Sequence, residues 1–128
     1  MAELVFVPVT RAEALALRSG ADLGVRPGCS ATSSLTHAVG ADAVPEEVEY
    51  AALSYAGDVA RTLEDGRPGL VLAADVEPAQ VSEQQSDHGE VSVTGLRWPQ
   101  VQSLFADEPD AQEEVDLLWF GIDELDHI

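Results

Sequence analysis

Cys29 is the only residue of this chain that carries a thiol, the strongest intrinsic nucleophile among the side chains. It lies in the turn-like segment 27–30, and His37, eight residues further on, is a candidate base that could activate it. A phosphatase-type cysteine loop would need an arginine six residues after the cysteine, where the chain has Leu35. Because a lone cysteine is more often a small packing residue, we predict that Cys29 is not catalytic.

Motifs that hold cofactors or metal ions are missing from the sequence. It contains no Gly-x-Ser-x-Gly nucleophile elbow, no P-loop and no Gly-x-Gly-x-x-Gly fingerprint. The histidines His37, His88 and His127 are scattered, and the acidic runs lack the spaced ligands and the glycine of an EF-hand loop. The sequence therefore predicts neither a cofactor nor a dedicated metal site.

Asp75 is the carboxylate that stands out by position, because it ends an unbroken apolar segment. Functional groups are often displayed where strands end. A small-ligand or enzymatic site at this strand end would draw on Asp75, Tyr50 and His37. The simpler alternative, which we favour, is that Asp75 has no functional role and that its side chain points into solvent or caps a turn.

Charge is the most unusual property of the sequence: 24 Asp and Glu face only 6 basic residues, all of them Arg, for a net charge of −18. Such a field repels polyanions, so nucleic-acid binding through a cationic surface and binding to an anionic membrane are both excluded. It favours a protein partner with a basic surface. Mimicry of DNA phosphates, a GC-rich coding bias and adaptation to high salt are the alternatives.

The acidity is concentrated toward the C-terminal end, where no lysine or arginine follows Arg97. Trp119 and Phe120 lie there in a predicted strand, and since neighbouring strand residues face opposite ways, both rings cannot enter a one-sided core. We expect Trp119 to anchor a partner. The acids expected to steer that partner are Asp107, Glu108, Asp110, Glu113 and Glu114.

These residues must be positioned by a small set of elements. Residues 4–9 are typical of a strand covered on both faces, with Pro8 at its end or at an edge. Thr10 and Glu13 fit a capping box that opens a short helix, and Pro45 opens the longest helix, which we expect to end at Gly66. Further strands are predicted over 32–36, 70–76, 90–94, 101–106 and 117–122, with a solvent loop over 82–89 and an acidic helical turn over 110–115.

Helices early and strands late predict an α+β domain spanning 1–128. We expect a two-layer sandwich, in which a mixed sheet of about five or six strands carries the two main helices on one face. One cysteine excludes an internal disulfide, and the first residues of the sequence predict neither a signal peptide nor a membrane span. A cytoplasmic protein is therefore expected, and homo-oligomerisation is left open.

Four segments occur together in one order: 5–10, 49–53, 71–76 and 116–120. In this order the chain resembles a family of short, acidic, uncharacterised actinobacterial proteins, a domain of unknown function. The resemblance implies a cytoplasmic bacterial protein with a GC-rich gene, which makes DNA mimicry less favoured, and it supplies no catalytic or binding residues. Our first hypothesis is a non-enzymatic interaction module, followed by a small enzyme or ligand-binding domain and then by a DNA mimic.

Overall fold

The computed structural model describes residues 3–40, 42–63, 70–84, 88–106 and 117–127. The described strands are β1 (Glu3–Val9), β2 (Arg26–Cys29), β3 (Leu70–Val76), β4 (Val81–Glu83), β5 (Glu90–Val93), β6 (Val101–Ala106) and β7 (Leu118–Phe120). The described α-helices are α1 (Arg11–Arg18), α2 (Ser33–Val39) and α3 (Pro45–Leu63). Three 3₁₀ turns cover Pro78–Gln80, Trp98–Gln100 and Ile122–His127. The α+β class is confirmed.

The described strands form one sheet in the order β4-β5-β2-β1-β3-β6-β7. Every pairing between them is antiparallel, so the prediction of a mixed sheet is wrong, and seven strands replace the expected five or six. The longest ladder joins β1 to β3, from Glu3 opposite Val76 to Val9 opposite Leu70. These two unbroken apolar strands therefore lie side by side in the middle of the sheet.

Both faces of this central pair are buried. Val5, Val7 and Val9 face a core completed by α1 and by Leu125 of the last 3₁₀ turn. Phe6 faces the opposite core, which α2 and α3 cover. The expectation that the main helices share one face is therefore wrong: α1 and α3 lie on opposite faces. The physical reason is the apolar run itself, because a strand without polar alternation has to be covered on both sides.

Local signals fix the two main helices. The Thr10 hydroxyl accepts from the Glu13 N–H at 3.1 Å and the Glu13 carboxylate accepts from the Thr10 N–H at 3.0 Å, which confirms the capping box. Helix α3 begins at Pro45 as predicted, whereas its predicted end at Gly66 lies outside the described residues. Within the described ranges, no helix is both long and apolar enough to cross a membrane.

Two elements before α3, the helix α2 and the strand β2, were not predicted from the sequence. Residues 32–36 were expected to be a strand, but Thr32 instead caps α2 by accepting from the Leu35 N–H at 3.1 Å. A threonine in extended conformation can belong to a strand or can cap the N-terminus of a helix. Here Thr32 is buried, and as a helix cap its hydroxyl has a hydrogen-bond partner. Strand β2 has no sequence prediction, because Pro27 and Gly28 are typical of turns.

Strand β2 diverges from β1 beside Pro8. The β1–β2 pairing within the described residues is Phe6 opposite Cys29, and it does not reach Pro8. There the Arg26 Nη2 donates to the Pro8 carbonyl at 3.1 Å, and the same guanidinium bonds to Glu13 at 2.7 and 3.2 Å. Pro8 was expected at a strand end or an edge. It lies one residue before the end of β1, as the first alternative expected, although β1 is a central strand and not an edge. Because the β1–β2 pairing does not reach Pro8, the N–H that proline lacks is not needed there.

Candidate functional site

An open apolar groove of about 300 Å³ runs between α3 and the strands beneath it. We call it the α3–β6 groove. Its wall on the helix is made by Glu46, Glu49, Tyr50 and Leu53. The described residues that line it from the sheet are Leu4, Phe6, Ala73, Gln102, Ser103 and Phe105.

The helix wall follows from the helical repeat. Its four residues are spaced i, i+3, i+4 and i+7, which places them on one face of α3 next to the buried stripe that begins at Val48. The first two are carboxylates, the third is an aromatic ring and the fourth is aliphatic. The wall therefore changes from charged to apolar along the axis of the helix.

The floor of the groove owes its depth to small side chains in register. Phe6 lies opposite Ala73 in the β1–β3 ladder, and Ala73 lies opposite Ser103 in the β3–β6 ladder. Next to this row, the Phe105 ring meets the Phe6 ring edge to face, with centroids 6.3 Å apart and planes at 78°. Two small residues beside two packed aromatic rings leave a trough with an apolar base.

Trp119 stands at the outer side of this groove. It lies opposite Phe105 in the β6–β7 ladder, so both rings are on the face that carries α3. The residue remains 64% exposed, whereas Phe120, on the other face, packs against the core. The prediction that the two rings point opposite ways is confirmed. The role of Trp119 as an anchor stays a prediction.

Leu117 fixes the approach to β7. It packs against the core under α3, and a methyl group added at Gly57 would come within 2.9 Å of its Cδ1. Gly57 therefore lets Leu117 lie close to the helix. This contact holds the chain that leads to Trp119 against α3.

The rim of the groove is negative. Glu46 and Glu49 line it, and none of the ten described residues that line it is basic. Asp75 is exposed on the same face, two residues beyond Ala73 in β3. Glu47, although it lies on the same helical turn, is not among the lining residues.

The predicted ligand residues are only partly gathered at this groove. Tyr50 lines it, with 52% of the residue exposed. Asp75 lies opposite Leu4, which is a lining residue, but does not itself line the groove. His37 is exposed on α2 and is not among the residues that line it. The acids Asp107, Glu108, Asp110, Glu113 and Glu114 lie outside the described residues.

The thiol of Cys29 is unsuited to nucleophilic chemistry at neutral pH. The residue is 3% exposed, and burial together with the Glu90 carboxylate raises the pKa of its thiol to about 11. It forms part of the floor of a second cavity, of about 430 Å³, on the other side of α3. Because a reactive cysteine needs a lowered pKa, this residue is better explained by packing. In the described part of the chain, no group of three or more His, Cys, Asp or Glu residues is placed to hold a metal ion.

Sequence reasoning missed the groove itself. Carboxylates near the start of a helix, such as Glu46, Glu47 and Glu49, are explained by the positive end of the helix dipole, so the sequence alone does not set Glu46 and Glu49 apart from Glu47. The available signal was the helical spacing that joins these two carboxylates to Tyr50 and Leu53. The small residues Ala73 and Ser103 gave no signal in the sequence, because they form the floor of the groove only when β3 and β6 pair in this register.

The comparison with protein families gives a clear result. A family model, described as a family of unknown function (DUF6912), matches residues 4–118. No curated protein and no solved structure matches the chain. The match covers most of the sequence and confirms the resemblance to a domain of unknown function. The chain therefore belongs to DUF6912, a family of unknown function.

Proposed function

We propose that this protein is a non-enzymatic interaction module that binds a partner protein with a basic surface through the α3–β6 groove and Trp119. The observation that carries the proposal is the exposure of Trp119 beside the groove, opposite Phe105. Tryptophan is among the residues most enriched at the energetic centres of protein interfaces. An indole left in water beside an open apolar trough therefore supports a role in binding.

The stability of the fold gives a second argument. Trp119 faces solvent over most of its surface, so it contributes little burial to the core. A smaller or polar residue in β7 would pair with β6 equally well through its backbone. The indole is therefore better explained by contact with a binding partner than by a contribution to the stability of the fold.

The charge of the chain supports a basic partner. At −18 the protein attracts a cationic surface over long distances, and Glu46 and Glu49 carry negative charge to the rim of the groove itself. Complementary fields of this kind accelerate association and weaken as salt is added. The predicted acids from Asp107 to Glu114 would add to the same field.

Site-specific photo-crosslinking in the native cells tests this proposal. A photoreactive phenylalanine analogue at position 119 is compared with the same analogue at position 25, because Val25 is similarly exposed, at 68%, and does not line the groove. We expect a discrete adduct with a basic protein from position 119 only. The association rate measured with that protein should fall several-fold between low and high salt.

Two results would contradict the proposal. Adducts that are the same from positions 119 and 25 would show that the Trp119 surface has no specific occupant. An association rate that does not change with salt would remove the electrostatic part of the argument.

The second candidate is a small-ligand site, which the size of the groove favours. About 300 Å³ lies at the lower end of the usual range for such pockets, roughly 300–1,000 Å³. Of the three residues predicted for it, Tyr50 lines the groove. A small molecule that co-purifies with the protein and is lost in Y50A, with W119A unaffected, would favour this function over protein binding.

A further inference from the structure

We infer that the α3–β6 groove receives an arginine side chain from a segment of the basic partner. The inference rests on the proposed function, since it names what the partner presents. It follows from the way the groove combines an apolar aromatic base, two carboxylates on one helical face and an exposed tyrosine ring. Each of these matches a different part of the arginine side chain.

The apolar floor matches the aliphatic stem. The rings of Phe6 and Phe105 and the methyl group of Ala73 form its base, and Leu53 closes the wall. Arginine buries its methylene groups along apolar surfaces while its charged head stays near water. A purely apolar side chain would fill the same space but would leave the acidic rim without a partner.

The rim matches the guanidinium. Glu46 and Glu49 lie three residues apart on α3, a spacing that makes side chains neighbours on the helix surface. A guanidinium presents five N–H donors in one plane and can bridge two carboxylates, whereas an ammonium is a compact point charge. Gln102 and Ser103 supply further polar groups to the lining of the groove.

The aromatic ring favours arginine over lysine. Tyr50 follows Glu49 directly and lines the groove while half of the residue remains exposed. Guanidinium groups stack on aromatic rings and are more weakly hydrated than ammonium groups, so they lose less on entering a partly apolar site. The groove therefore discriminates by shape and hydration as well as by charge.

Of the two carboxylates, Glu46 has a competing explanation, because it lies in the first turn of α3, where acids stabilise any helix through its dipole. Glu47 separates the two explanations. It lies in the same first turn as Glu46, but it does not line the groove. A dipole effect would involve both residues equally, whereas arginine binding would involve Glu46 and Glu49 and exclude Glu47.

The experiment uses the full chain and short synthetic peptides. The probe is acetyl-Ala-Ala-Arg-Ala-Ala-amide, and the matched peptides carry lysine or citrulline in place of arginine. Binding is followed by two-dimensional NMR of the ¹⁵N-labelled protein. We expect weak, saturable binding of the arginine peptide, with the largest shifts at the amides of Tyr50, Ser103 and Phe105. Citrulline has nearly the same shape without the charge and should bind at least about tenfold more weakly.

Variants complete the test. E46Q/E49Q should weaken binding of the arginine peptide by about tenfold or more, and E47Q should leave it unchanged. Thermal unfolding of both variants checks that the fold is kept. Equal binding of the arginine and lysine peptides, equal binding of the arginine and citrulline peptides, or shifts away from the groove would each overturn the inference.

The two proposals fail in different ways. If E46Q/E49Q binds the arginine peptide like the unmodified protein while position 119 still crosslinks to a basic partner, the arginine inference fails and the interaction module stands. If the groove binds the arginine peptide selectively and position 119 yields no specific partner, the proposed function fails.

Discussion

The side-chain amides of Gln80 and Gln100 bond to each other. The Gln100 Nε2 donates to the Gln80 Oε1 at 2.8 Å, and the Gln80 Nε2 donates to the Gln100 Oε1 at 3.3 Å. Each carbonyl oxygen also accepts a backbone N–H three residues earlier, from Glu77 at 2.9 Å and from Arg97 at 3.1 Å. The pair therefore joins the two 3₁₀ turns that precede β4 and β6.

Truncating this pair should destabilise the fold. Q100A removes the acceptor of the Arg97 N–H and one partner of the Gln80 amide, so we expect a loss of about 1–3 kcal/mol in the free energy of unfolding. Urea denaturation measures the loss. Q84A is the control: Gln84 is exposed and makes one side-chain bond, to Ser92, so we expect less than about 0.5 kcal/mol. Equal effects would contradict the role given to the pair.

The neighbouring aromatic residues of β7 should differ in what they contribute to stability. W119A should change the free energy of unfolding by less than about 1 kcal/mol, because the indole is largely in water. F120A should cost about 2 kcal/mol, somewhat less than the roughly 3–5 kcal/mol of a fully buried ring, since Phe120 is partly buried against the core. Denaturant unfolding compares them. A loss for W119A as large as that for F120A would assign the indole a structural role and weaken the proposed interface.

Gly89 should tolerate substitution less well than another glycine of similar backbone conformation. Its φ is +73°, and an added Cβ would overlap the Ser30 carbonyl oxygen and the Leu35 side chain. Gly24 has φ +71° with no atom within 4 Å of the added Cβ. We expect about 1 kcal/mol for G24A from strain alone, and at least about 3 kcal/mol for G89A. Losses of the same size, measured by thermal unfolding, would contradict the close approach.

The buried thiol should make stability depend on pH in the alkaline range. The folded state keeps Cys29 neutral up to a pKa of about 11, whereas the unfolded chain ionises near the ordinary value of about 8.5–9. Above that value the unfolded state binds fewer protons, so stability is lost as the pH rises toward 11, by at most about 2–3 kcal/mol.

The variant C29A isolates this effect. Its free energy of unfolding should decline less steeply over the same pH range, whatever its absolute stability. Because the chain has no lysine, no lysine titration overlaps with that of the thiol in this pH range. Parallel slopes for C29A and the unmodified protein would contradict the assigned pKa.

Local patterns predicted the central elements well. The apolar runs over β1 and β3 and the capping box at Thr10 are confirmed, because each signal lies within one element. Strand β6 is confirmed from Val101 to Ala106. The predicted helical turn over 110–115 lies outside the described residues.

Features that depend on partners distant in the chain could not be predicted. Strand β2 forms despite Pro27 and Gly28, since β5 pairs with it over all four residues. The groove exists because Ala73 lies opposite Ser103 in the β3–β6 ladder. This pairing cannot be predicted from the pattern of residues within either strand. The helices were assigned to one face because sequence order shows that a helix follows a strand, but not the side to which it crosses.

The hydrogen bonds of the Arg26 guanidinium affect how the molecule unfolds locally. It ties together the end of β1, the start of α1 and the start of β2 through the Pro8 carbonyl and the Glu13 carboxylate. Since one cation bonds to all three segments, none can fray without breaking the hold on the others. Hydrogen exchange should therefore show these segments opening as a single cooperative unit.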